Sequence, residues 1–195
     1  MQYQKEDVRN SIVESAKTEF LRVGYSRASM LQISTCAKVP IGNLYRYFSS
    51  KASLFDAIVG TARERILEAV KASLGERRAT PITEEAFKNK VNEVSINFLS
   101  IARDYQKETI LLLQKSGGSS YDGFIDEVIA CVKELLNDRV RKASGTPDEF
   151  LFDLIADNVT RGAFRILIER PFDEQMEELV KLLTFYFANI DDRLY

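Results

Sequence analysis

Histidine is absent from the 195 residues. That removes histidine-based acid/base catalysis, Ser-His-Asp triads and His-ligated metal sites. Carboxylate-bridged di-metal bundles, which use Glu-x-x-His pairs, go with them. Neither a phosphate-cradling P-loop nor a GxSxG elbow is present. No enzyme activity, catalytic residue, metal or cofactor is expected. Cysteine is scarce: Cys36 and Cys131 lie far apart, form no CxxC pair and suit a reduced cytoplasm. Both read as buried structural thiols. No apolar run approaches the ~20 residues that span a bilayer. The stretch Met1–Asp7 is polar and carries both signs of charge, unlike a secretory signal. A cytoplasmic protein without membrane association is expected. Strand signals are missing too: there is no sustained apolar/polar alternation, and Asp122-Gly123 lies between helical stretches. No repeat of solenoid period occurs.

What is present reads as helix. Val8, Ile12, Ala16, Phe20 and Val23 fall on one helical stripe, and Gly24 follows as a stop. Leu54, Ile58, Ala62 and Ile66 repeat the pattern in a longer helix ending near Gly75. Thr83 can cap the next, with Glu84 and Glu85 favourable in its first turn. Ser116-Gly117-Gly118-Ser119-Ser120 reads as a flexible linker. A helix is expected from about Phe124 to Lys142. Between Ser144 and Glu149 one helix ends and another starts, with Thr146 as cap and Pro147 in its first turn. Pro171 ends that helix, and Asp173 can cap a last one reaching about Ile190. The expected fold is all-α, with about nine helices.

Net charge is only −2, but it is unevenly spread. Residues 1–51 hold eight Lys/Arg against four acids, a net +4; the remainder holds 19 against 25, a net −6. A basic end on an acidic body is the footprint of a module that meets phosphate.

The informative stretch is Ser29 to Lys51. A short helix is expected from Ser29, as cap, to Ala37, with Leu31 and Ile33 among its apolar positions. A tight turn at Lys38-Val39 follows, then a second short helix starting at about Pro40. Two such helices joined by a short turn form a helix-turn-helix, whose second helix lies in the major groove. Gly42 lets its backbone approach a base edge, Asn43 suits an adenine edge, and Ile41 suits a thymine methyl. Tyr45, Tyr47 and Lys51 can reach phosphates. Leu44 and Phe48, four apart, face inward. As single residues Tyr45 and Tyr47 would more often be ordinary half-buried aromatics, and Lys51 a solvated surface lysine.

Gly24-Tyr25, Ser29, Ile33, Ala37, Val39, Gly42, Leu44, Tyr45, Arg46, Tyr47, Phe48, Ser50, Lys51 and Leu54 together resemble the N-terminal signature of the tetracycline-repressor (TetR) family. The resemblance covers about residues 8–60. It implies a three-helix DNA-binding domain, placed at residues 1–51, and a larger helical ligand-binding and dimerisation domain, placed at 52–195. The implied DNA contacts are Ser29, Ile41, Gly42, Asn43, Tyr45, Arg46, Tyr47 and Lys51. Three positions depart from the family pattern. Lys38 stands where Gly is usual and either strains the turn or adds a phosphate contact. Pro40 replaces a small hydroxyl residue, and Ser34 replaces Ala.

The last two helices are apolar around much of their circumference. One stripe can pack on the chain's own core, and a second needs another partner. The resemblance implies a homodimer through these helices, with Leu151, Ile155, Val159, Gly162, Ala163, Leu179, Leu183, Tyr186 and Phe187 at the interface; the alternative is that both helices are central core. Gly162-Ala163 would admit a closely packed facing helix. A dimer also suits a palindromic double-stranded operator. An effector pocket is expected among residues 83–142, lined by Phe87, Phe98, Tyr105, Tyr121 and Phe124, each of which also reads as plain core. The expected function is a ligand-responsive transcriptional repressor released from its operator by a small molecule. A helical dimeric adaptor without DNA binding is the alternative. The sequence names neither effector nor operator, and does not separate repressor from activator.

Overall fold

Apolar residues four apart wind the N-terminal stretch into α1 (Gln2–Val23), with Ile12, Ala16 and Phe20 fully buried along one stripe. Gly24 stops it: its φ of +79° is a conformation that costs glycine nothing, and its N–H still bonds the Phe20 carbonyl. Further helices are α2 (Met30–Cys36), α3 (Ile41–Tyr47), α4 (Lys51–Leu74), α5 (Glu84–Asp104), α6 (Gln106–Ile110), α7 (Phe124–Lys142), α8 (Glu149–Glu169) and α9 (Phe172–Phe187). The computed structural model describes residues 2–74, 83–142 and 149–188; among them there are nine α-helices and no strand. The expected helix end at Gly75, the cap at Thr146-Pro147 and the helix end at Ile190 lie outside the described residues.

The chain divides into two compact units. The first comprises residues 1–64 with 105–124. Its core joins the α1 stripe to Ile33, Leu44, Leu54 and Phe55, each at most 1% exposed. Phe20 and Phe55 meet edge to face at 5.0 Å, and Tyr25 meets Phe55 at the same distance. Burying each of these large side chains contributes about 1.5–3 kcal/mol. α6 continues into a single π-helical turn (Leu111–Lys115), in which the successive Leu111 and Leu112 are both buried. This segment is tied to α1 by Lys17, whose Nζ lies 2.7 Å from Glu108, and by the Tyr25 N–H, which donates to the Lys115 carbonyl at 2.8 Å.

Ser116–Ser120, expected as a flexible linker, is a hydrogen-bonded turn. The buried Ser116 hydroxyl donates to Leu112 O, Gly118 N donates to Asp122 Oδ2, and the Ser26 hydroxyl donates to Gly117 O. Small polar residues serve a tight turn as well as a loose linker, and tertiary partners decide between them. The break between α5 and α6 at Tyr105 carries no Gly or Pro and was not legible in sequence.

The second unit comprises residues 65–104 with 125–195. Thr83 caps α5 as expected, its hydroxyl accepting from Ala86 N at 3.2 Å. α5, α8 and α9 pack together over Val91, Leu99, Phe152, Ala156 and Leu179. Pro171, expected to end α8, also serves as the N-cap residue of α9, and Asp173 sits in the first turn. The buried Gln175 reaches back from α9, donating to the carbonyls of Leu167 and Arg170 at the end of α8.

The two cysteines differ from expectation. Cys36 is exposed at the end of α2, while Cys131 is half-buried, and burial pushes its thiol pKa up.

Candidate nucleic-acid interface and interior cavity

Three local devices set the helix-turn-helix. α2 closes in a paired motif: Val39 N donates to Ser34 O at 3.0 Å and Lys38 N donates to Thr35 O at 3.2 Å. The motif needs a left-handed residue, and here it is Lys38, at φ +55°, where glycine fits without strain. Pro40 is the N-cap residue of α3 rather than its first helical residue, and its carbonyl accepts from Asn43 and Leu44 N–H. Ser50 and Ser53 cap α4 reciprocally: each hydroxyl accepts the other's backbone N–H, at 3.0 and 3.1 Å. The second serine stands where Glu or Gln is usual, so the pattern escapes a sequence search.

Packing then orients α3. Leu44 is fully buried and Phe48 is 5% exposed, with the Arg9 guanidinium over the Phe48 ring at 5.4 Å. These inward anchors turn the rest of the helix outward. Tyr45 and Arg46 are exposed, Gly42 is exposed, and Ile41, Asn43 and Tyr47 are half-buried. Ser29 and Lys38 are also exposed. Ser29 occupies the N-cap position of α2, but its side chain makes no capping bond. Among the described residues, Lys38, Asn43, Tyr45, Arg46 and Tyr47 have no side-chain hydrogen bond or ion pair. A Cβ added at Gly42 would meet nothing within 4 Å. The protein's own packing therefore does not require glycine there, and the open space lies on the outward face.

Lys51, expected on a phosphate, spends its three donors inward. Its Nζ donates to the carbonyls of Tyr25 (2.8 Å), Ser26 (3.2 Å) and Ala28 (3.1 Å), and stands 4.5 Å from the centroid of the Tyr25 ring. An ammonium has three N–H groups, so its capacity is filled by the turn between α1 and α2. Ser34, the family departure, is buried and donates to Leu31 O. Leu31, read as an apolar position of α2, is 64% exposed.

A clasp invisible in the sequence joins α4 to the turn before α7. The Tyr121 hydroxyl donates to Asp56 Oδ1. Burial, together with that hydrogen bond and the adjacent charge of Asp56, pushes the phenol up to about 12.

The second unit holds a partly open cavity of about 70 Å³. Of the five aromatics expected in a pocket, Phe98 lines it; Phe87 lies half-buried elsewhere on α5, and Tyr105, Tyr121 and Phe124 belong to the first unit. Val159, Ala163, Leu179, Leu183 and Phe187, expected at a dimer interface, line this cavity within the single chain. Gly162 does admit a close helix, but the facing helix is the chain's own α9: a Cβ there would stand 3.2 Å from Leu182. Ile155 and Tyr186 are half-buried and Leu151 is exposed. The largest outward apolar side chains on α8 and α9 are Phe150, Leu154, Phe172 and Phe185, of which Phe172 lies under the Arg103 guanidinium at 4.4 Å. Among the described residues no group of acidic or cysteine side chains is arranged to hold a metal, and no helix is long and apolar enough to cross a membrane.

Residues 12–58 match the family model described as bacterial regulatory proteins, tetR family. No curated protein matches the chain in sequence. Among solved structures, the chain is similar to a TetR-like transcriptional regulator from Rhodococcus sp. RHA1, at 20% identity and a TM-score of 0.63, over 93% of this chain and 96% of that one. It is similar to a transcriptional regulator from Aquifex aeolicus VF5, at 19% identity and a TM-score of 0.62, over 92% and 99% of the two chains. It is also similar to NalD of Pseudomonas aeruginosa, the secondary repressor of the MexAB-OprM multidrug efflux pump, at 19% identity and a TM-score of 0.59, over 93% and 96%. These likenesses carry the fold along nearly the whole chain, and the family match falls on the three helices that shape the outward face of α3. Residues 12–58 thus match the tetR family of bacterial regulatory proteins, and the chain as a whole shares the fold of these regulators.

Proposed function

We propose that the protein is a ligand-responsive transcriptional repressor that binds a palindromic operator as a homodimer, in the cytoplasm. The observation that carries this reading is the outward face of α3. Its polar side chains are free of partners, it is anchored from behind by Leu44 and Phe48, and Gly42 leaves its backbone open. Tyr45, Arg46, Tyr47, Lys38 and Ser29 supply donors for phosphate, while Ile41, Gly42 and Asn43 face base edges, within a DNA-binding module at residues 1–51. Lys51 acts behind them, holding the turn before α2. Residues 52–195 supply dimerisation and ligand binding. Phe150, Leu151, Leu154 and Phe185 offer the apolar surface for an isologous contact. The ligand acts through α4, which runs unbroken from the recognition module into the second unit. Repression follows the role of NalD, itself a repressor.

The test is fluorescence anisotropy with a labelled duplex of the protein's upstream region and a scrambled control, at two salt concentrations. Wild type is expected to prefer the upstream duplex and to weaken steeply with salt. Arg46→Ala is expected to bind at least about tenfold more weakly, with a shallower salt dependence if it meets a phosphate. Equal weak binding to both duplexes, unaffected by Arg46→Ala, would overturn the reading and favour an adaptor.

A further inference from the structure

The cavity of the second unit carries two polar atoms that the fold leaves unused. The Oγ of Ser95 on α5 and the Oγ1 of Thr160 on α8 are buried, at 0% and 5% residue exposure, and neither has a hydrogen-bond partner. Both residues line the cavity. A helical hydroxyl ordinarily satisfies itself on the carbonyl one turn back. Ser73, also in the lining, does so on Val70 O at 2.6 Å. Ser95 and Thr160 do not. Buried hydroxyls are nearly always paired, so two unpaired ones in one cavity are a reason to look for what pairs them.

Among the described residues the remaining wall is apolar and holds no charged side chain; Phe98, Phe164 and Phe187 contribute rings. A carboxylate or ammonium brought here would lose its hydration with no counter-charge. A neutral ring with one polar substituent would keep its apolar surface against the phenylalanines and give the hydroxyls a partner. At about 70 Å³ the cavity is smaller than the ~150 Å³ void that accepts benzene in another protein. Entry therefore requires side chains to move, and Phe98, Leu183 and Phe187, being only half-buried, have room to do so.

We infer that this cavity binds a neutral, largely apolar, ring-bearing small molecule whose single hydroxyl or carbonyl group pairs with Ser95 and Thr160. The inference deepens the ligand-responsive reading above and rests on it for its biological meaning, but not for its test. Isothermal titration of the full chain at pH 7 compares benzyl alcohol, toluene and benzoate, which share one ring and differ in one group. Benzyl alcohol is expected to bind about fivefold or more tighter than toluene, and more than tenfold tighter than benzoate. In the double variant Ser95→Ala, Thr160→Val the advantage of benzyl alcohol over toluene is expected to vanish while toluene binding persists. Both substitutions remove an unpaired buried hydroxyl and add no bulk, so the variant is expected to fold. Ala163→Leu, which fills the cavity, is expected to abolish binding of both neutral probes.

Benzoate binding as tightly as benzyl alcohol overturns the inference. So does an alcohol preference that survives the double variant, toluene binding unchanged in Ala163→Leu, or no binding of either neutral probe. Binding with the expected selectivity but without any change in operator affinity upholds the ligand class and removes ligand control of DNA binding. Absence of that selectivity with operator binding intact overturns the ligand class and leaves the DNA-binding reading standing.

Discussion

The two units differ in how they treat buried polar groups. Around the helix-turn-helix such groups are paired: Ser34 bonds Leu31 O, the buried Glu19 takes two N–H bonds from Arg22, and Lys51 fills three carbonyls at once. In the second unit Ser95, Asn137 and Thr160 leave side-chain oxygens unpaired, and a cavity opens beside two of them; Thr109 is the corresponding exception in the first unit. A module that must hold a short helix in a fixed pose gains from complete pairing. A unit that must accept a molecule keeps groups in reserve.

The largest effect that would break this contrast is in the first core. Leu44→Ala removes a fully buried side chain from a close-packed site, and a stability loss of about 2–4 kcal/mol is expected in urea denaturation. Ser95→Ala in the second unit is expected to be neutral or slightly stabilising, because it deletes an unpaired hydroxyl. Comparable losses at both sites would show that the two units are packed alike.

Lys51→Met comes next, with an expected loss of about 1–3 kcal/mol from three vacated carbonyls. Lys51→Arg is not expected to restore it, since a planar fork does not match three carbonyls converging on one nitrogen. A variant with unchanged stability, reduced DNA affinity and a shallower salt dependence would instead place Lys51 on a phosphate.

Lys38→Gly is expected to act in opposite directions on stability and affinity. Relief of the left-handed lysine is expected to add about 0.5–1 kcal/mol to stability, while loss of the exposed cation weakens operator binding about two- to fivefold. Denaturation and anisotropy on the same preparation check both.

The smallest effect is spectroscopic. Tyr121 is held neutral up to about 12 against the ordinary 10.0, so its contribution to stability is complete below pH 10 and fades as pH rises through 12. Phenolate absorbance is expected to show one of the eight tyrosines ionising near 12. Tyr121→Phe removes that step, and Asp56→Asn moves it back toward 10.

The recognition module was legible because local rules agree there. A five-residue apolar stripe, a glycine stop, a turn and a second short helix each point the same way, and fifteen positions fall in one register. The second unit was less legible, because aromatic and aliphatic residues look alike in sequence whether they line a cavity, fill a core or face a partner. Phe98 was placed at the cavity, but Val159, Leu179 and Leu183 reach it from helices that the sequence suggested for a dimer. The signal that marks the cavity, a Ser and a Thr without partners on α5 and α8, exists only after those helices have come together.

By itself, then, the sequence determined the all-helical class, the helix-turn-helix and its inward anchors, because helical period and capping are encoded within a few residues. Tertiary structure alone decided that Lys51 points inward, that Ser116–Ser120 is an ordered turn, that Tyr121 clasps Asp56 and that two hydroxyls share an apolar cavity. Beyond the local bonds of the turn itself, these depend on groups 23 to 91 residues apart in the chain, and no local pattern specifies which distant atom will satisfy a hydrogen bond.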